Sequence, residues 1–154
     1  MAGKSWREVF KVHPAADVFP MLGDAELTDL AADITSNGLQ EPVVMWSPDD
    51  NAEWLIDGRN RLAAMELAGV ELQPWWRKTI CVKDPTAVII SLNIRRRHLG
   101  AAERAHLVTA ALEAGKKFQN GQTVEYSTVS KGGRGHKAEA AQVAELASVD
   151  KKKR

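Results

Sequence analysis

The sequence predicts a small mixed α/β fold, an α+β arrangement with helices packed on a short sheet, followed by an α-helical C-terminal segment. Three observations carry this reading. Apolar, β-rich runs at residues 42–46, 53–56 and 75–82 alternate with segments whose apolar residues recur at helical spacing. Glycine or proline punctuates nearly every junction between them. The composition, 44% hydrophobic and 27% charged, is that of a chain able to bury a core without disulfide staples.

Residues 8–12 read as a first strand closed by His13-Pro14, and Phe19-Pro20-Met21-Leu22-Gly23 as an apolar loop beneath the next element. Asp24 is expected to cap a helix whose Leu27, Leu30, Ala31 and Ile34 share one face, with Asn37-Gly38 as its left-handed stop. Residues 42–46 and 53–56, separated by Ser47-Pro48-Asp49-Asp50-Asn51, read as a hairpin. A glycine corner at Gly58 leads into a helix over residues 59–68 that Gly69 ends. Residues 75–82 form a further strand that places Cys81 in the core. Asp84-Pro85 opens a helix to about Arg95, and another runs from Ala101 to about Ala114, stopped by Gly115.

These elements divide the 154 residues into a body at 1–115, a polar, glycine-bearing linker at 116–137 and a last segment at 138–154. The body carries 12 Lys and Arg against 16 Asp and Glu, a balance of −4, whereas residues 116–154 carry 9 against 4, a balance of +5. A cationic tail on an acidic body points to a polyanionic partner, DNA first among them. Cys81 is the only cysteine, so neither an internal disulfide nor a cysteine-based zinc site is available, and a reducing, cytoplasmic setting is expected. No apolar run is long enough to span a bilayer and no secretory leader is recognisable, so no membrane partner is expected.

The main clue to chemistry is Leu55-Ile56-Asp57-Gly58-Arg59-Asn60-Arg61-Leu62, a strand, a glycine corner and a helix whose first turn carries two guanidiniums. A helix start offers unpaired N–H groups and the positive end of the macrodipole, and Arg adds a planar fork matched to phosphate oxygens. The competing reading is that Arg59 and Arg61 are solvated or pair with nearby carboxylates. A second cluster, Asn93-Ile94-Arg95-Arg96-Arg97-His98, ends the helix that follows Pro85 and could converge on the same corner. Cations there also serve the helix dipole.

Taken in order, His13-Pro14, Asn37-Gly38-Leu39-Gln40-Glu41-Pro42-Val43-Val44, Asp57-Gly58-Arg59-Asn60-Arg61, Leu67-Ala68-Gly69 and Asn93-Ile94-Arg95-Arg96 resemble landmarks of the ParB/sulfiredoxin superfamily. The likeness is to the N-terminal domain of ParB-like partition proteins and covers about residues 8–115. It implies a DNA-binding homodimer acting in plasmid or chromosome partition or in DNA-associated regulation, with a pocket for a nucleoside triphosphate of the CTP type and Mg2+. On that resemblance Gly58, Arg59, Asn60, Arg61, Arg95 and Arg96 bind the nucleotide and Asn93 helps to position the metal. Gly58 and Arg61 match the family pattern, whereas Arg59 and Asn60 stand where Glu and Arg are usual. Leu92 occupies a position often held by a Glu linked to hydrolysis, so the resemblance leaves a nucleoside triphosphatase activity open.

Two enzymatic readings follow from the same superfamily. Sulfiredoxin chemistry needs a cysteine after the corner glycine, and Arg59 cannot act as that nucleophile. A metal-dependent ParB-like nuclease would need carboxylates for magnesium, of which Asp57 and Glu41 are the nearest, although both could pair with the neighbouring arginines. A third alternative is a transcriptional regulator that uses the domain as a dimerising scaffold. In the tail, residues 138–147 read as a helix, and Gln142 to Asp150 resembles the first half of a helix-turn-helix. Its recognition helix would begin at Lys151-Lys152-Lys153-Arg154, which are expected to touch DNA phosphates without reading bases.

Overall fold

A computed structural model describes residues 3–121, so the expected helix at 138–147, the helix-turn-helix-like segment and Lys151, Lys152, Lys153 and Arg154 lie outside the described residues. The described chain is mixed α+β, as the sequence predicts. It runs α1 (Trp6–Val9), α2 (Pro14–Asp17), α3 (Asp24–Asn37), β1 (Val43–Asp49), β2 (Ala52–Asp57), α4 (Arg59–Ala68), β3 (Arg77–Ile80), α5 (Pro85–Arg96) and α6 (Ala101–Gln119). No described helix is long and apolar enough to cross a membrane.

The sheet has the order β2-β1-β3, with β1 antiparallel to β2 and parallel to β3. Both of its faces are covered, because the apolar runs of β1 and β2 send side chains alternately to opposite sides. Val43, Met45 and Leu55 enter one core with Ile34 of α3 and Leu62 and Met65 of α4. Trp46 and Ile56 enter the other with Ile89, Ile90 and Ile94 of α5 and Val108 and Ala111 of α6. The result is three layers, helix on sheet on helix. Each fully buried Leu, Ile or Met contributes on the order of 1.5–3 kcal/mol through removal of its surface from water.

Several expectations change. Residues 8–12 are not a strand: α1 occupies Trp6–Val9, and pairing with the sheet is confined to a single parallel bridge of Val12 with Leu55. Leu55 N–H donates to Lys11 O at 2.7 Å and His13 N–H to Leu55 O at 2.9 Å, so this stretch closes the outer edge of β2. The first helical turn of α3 begins at Asp24 itself, with Gly23 as its cap and Glu26 accepting from Gly23 N–H. The strand expected at 75–82 shortens to Arg77–Ile80, because Pro74–Trp76 form one 3₁₀ turn. Cys81 lies beyond that strand and is exposed, not part of the core.

Gly115 does not stop α6, which continues to Gln119, so the first four residues assigned to a linker are helical. The glycine is there for proximity. A Cβ at this position would lie 2.2 Å from Thr86 Oγ1 on α5. Gly115→Ala gains about 1 kcal/mol of helix propensity but forces apart two packed helices, which costs about 1–3 kcal/mol. The urea midpoint is expected to fall, and to recover when Thr86→Ala removes the obstructing atoms.

His13 caps α2, its Nδ1 accepting from Ala15 N–H at 3.2 Å, and its ring meets Phe118 of α6 and Trp46 of β1. Burial lowers its pKa from 6.5 to about 4, against a smaller upward pull from Asp84. The unfolded chain therefore binds one more proton than the folded one between pH 6.5 and 4. The stabilisation from the neutral ring is complete above pH 6.5 and is lost as pH falls towards 4, by up to about 3 kcal/mol. His13→Asn, which keeps a cap acceptor without titrating, is expected to flatten thermal stability across that pH window.

Candidate functional site

The corner between β2 and α4 is a close backbone approach. Gly58 has φ +119°, and a Cβ on it would lie 2.6 Å from Val43 Cγ1 on the adjacent strand, so only glycine fits. No side chain caps α4. The residues of its first turn, where a helix carries unpaired amides and the positive end of its dipole, line a cavity of about 440 Å3. Gly58, Arg59, Asn60 and Arg61 line this cavity together with Asn93, Arg96 and Arg97 from the end of α5, so the two sequence clusters do converge. Arg95 does not join them; it is exposed and absent from the cavity wall.

The arginines divide into two classes. Arg59 is buried, donating through Nη1 to Asp17 at 3.0 Å and through Nη2 to the Phe19 carbonyl at 2.5 Å. Burial lowers its pKa, while the charge and hydrogen bond of Asp17 oppose that shift. Arg61 donates to the Glu41 and Pro42 carbonyls at 2.9 and 2.6 Å and to Asp57 Oδ2 at 2.5 Å. Both guanidiniums expected to hold phosphate are thus engaged inside the protein, as the carboxylate-pairing reading anticipates. Asn60 is partly engaged as well, its Oδ1 accepting from Leu22 N–H at 3.0 Å.

Arg96 and Arg97 are more open. Arg96 Nη1 meets both oxygens of Asp57 at 2.9 Å and its Nη2 meets Glu41 Oε2 at 2.8 Å, with the side chain 41% exposed. Arg97 donates to the Pro20 carbonyl at 2.7 Å and stands over the Phe19 ring; burial lowers its pKa, opposed by Glu103. Asn93 Nδ2 donates to Ile89 O at 2.9 Å, which directs the amide nitrogen into α5 and leaves Oδ1 as a hard acceptor. Such an oxygen is of the kind magnesium takes, while among the described residues no group of three or more His, Cys, Asp or Glu stands together to hold a metal ion.

The wall of the cavity was not legible in the sequence. Leu22, Leu30, Ile34 and Leu39 line it, as the charged groups do. Leu30 and Ile34 carry the spacing of an ordinary buried helix face, which gives no sign that part of it lines a cavity. Arg97 was visible in the arginine run but not singled out from it. Among the lining residues three carboxylates, Asp33, Glu41 and Asp57, stand against four guanidiniums, a formal balance of +1.

Asp57 is the most constrained of these groups, being 7% exposed and held between Arg61 and Arg96. Asp57→Ala leaves two guanidiniums facing each other beside a buried corner and is expected to destabilise the fold by about 3 kcal/mol, read as a lowered urea midpoint. Comparison with known proteins identifies no relative: no family model matches this chain and no curated protein shows a significant match to it.

Proposed function

We propose that this chain is a ParB-like nucleotide- and DNA-binding protein whose cavity at the β2–α4 corner takes a nucleoside triphosphate of the CTP type with magnesium. The observation that carries the reading is the convergence of the Gly58 corner and the Asn93 to Arg97 segment on one cavity with an uncapped helix N-terminus. The α4 amides and dipole receive phosphate oxygens, and Arg96 and Arg97 supply positive charge at the cavity wall. Arg59 and Arg61 act here as positioning residues that hold the corner in shape. Asn93 Oδ1 would hold magnesium, whose role when bound is to neutralise phosphate charge. DNA binding by the cationic tail, assembly as a homodimer and a part in partition or DNA-associated regulation complete the proposal.

The nuclease alternative draws less support, since Asp57 and Glu41, its nearest carboxylates, are both engaged by arginines. A thermal-shift panel with CTP, ATP and GTP, each with magnesium, tests the reading, because a ligand that binds only the folded form raises Tm. CTP is expected to give the largest rise. Arg96→Gln is expected to weaken CTP binding about 10-fold or more in calorimetry, the loss of a charge-assisted hydrogen bond. No rise with any nucleotide, or an unchanged CTP affinity in Arg96→Gln, would refute the pocket as described.

A further inference from the structure

Arg96 is the most exposed cation on the cavity wall, yet its outward nitrogen is not free: Nη2 is on the carboxylate of Glu41. The two partners differ in how firmly they are held. Arg96 Nη1 is anchored on buried Asp57, so the guanidinium is fixed in place with one edge turned to the cavity. Glu41 is 63% exposed at its side chain, while its backbone carbonyl accepts from Arg61 Nη1. The main chain is pinned and the side chain is free to rotate into water. Asp57, Arg61, Arg96 and Glu41 together sum to zero formal charge; with Glu41 turned away the same group is cationic.

We propose that Glu41 is a resident competitor for the anion site, a carboxylate that occupies the ligand-facing edge of Arg96 until phosphate displaces it. This rests on the reading of the cavity as a phosphate site and adds the residue that sets its affinity and charge requirement. Displacement exchanges one carboxylate for another anion, so a singly charged ligand gains little. A polyphosphate also engages the α4 amides, which Glu41 does not, and so prevails. Glu41 lies outside the arginine motif, on the loop that joins α3 to β1, and links ligand binding to that loop.

The test uses the full chain, with CTP plus magnesium and inorganic pyrophosphate as probes in calorimetry. Glu41→Gln is expected to tighten both about two- to fivefold, the scale of an exposed ion pair. Asp33→Asn controls for simple removal of negative charge: Asp33 also lines the cavity but accepts from Asn37 and pairs with no arginine among the described residues. It is expected to change affinity by less than Glu41→Gln. In an Arg96→Gln background the gain from Glu41→Gln is expected to vanish, because the contact it releases is already gone. Equal gains from Glu41→Gln and Asp33→Asn, or a gain that persists without Arg96, would overturn the competitor role while leaving the phosphate site standing. Measurable binding by wild type with no gain in Glu41→Gln would do the same. If neither probe binds wild type or Glu41→Gln, the phosphate site itself fails and the competitor with it.

Discussion

The Asp57 carboxylate, buried between two guanidiniums, is the interaction on which the geometry of this molecule turns. A carboxylate cannot leave water without partners, since its desolvation costs several kcal/mol even after the surroundings relax. Its partners are drawn from different parts of the chain. Asp57 ends β2, Arg61 lies in the first turn of α4 and Arg96 is the last residue of α5. Arg61 extends the same network to the Glu41 and Pro42 carbonyls just before β1. One buried negative charge thereby fixes the corner, the end of a helix from the opposite layer and the loop leading into the central strand.

This constraint sorts the arginines by what their release would cost. Withdrawing Arg59 would take the donor from the Phe19 carbonyl, a loss of about 1–3 kcal/mol for a buried polar group, and would break its ion pair with Asp17. Arg61 is equally committed, with two carbonyls and a carboxylate on one fork. The outward contact of Arg96 is different, because both of its members are substantially exposed and water replaces what is broken. Positive charge available to a ligand thus comes from the end of α5, while α4 offers its amides and its dipole. The motif that draws the eye in the sequence shapes the corner; Asn93, Arg96 and Arg97, more than thirty residues later, line the cavity beside it.

What could be read from the chain beforehand follows from how local each cause is. The helix over residues 59–68 and its glycine end were legible because corner, apolar spacing and stop all lie within a dozen residues. The hairpin was legible for the same reason. Gly115 misled because a glycine at a helix end and a glycine at a helix crossing look alike until Thr86 is placed beside it. Residues 8–12 carry strand-like composition, but Pro14 and the short loops around it leave room for a single bridge. Arg59 and Arg61 were legible at the corner, and the pairing of Arg61 with Asp57 four residues before it was among the alternatives read there, whereas Asp17 and Phe19 reach Arg59 only through the fold.

The position of the cavity is itself a consequence of the three layers. Alternating side chains let helices cover both faces of β1 and β2, but at Gly58 the strand ends with no side chain to send either way. α3 and α4 approach from one layer and α5 from the other, and the gap between them is lined both by charged groups and by Leu22, Leu30, Ile34 and Leu39. An apolar wall lowers the local dielectric and so strengthens the pull of the helix end and of Arg96 on an anion. It also offers surface that a bare phosphate would leave exposed to water. The proposed nucleotide, with an anionic end and a flat body, would find a counterpart for each among the charged and apolar residues of this lining.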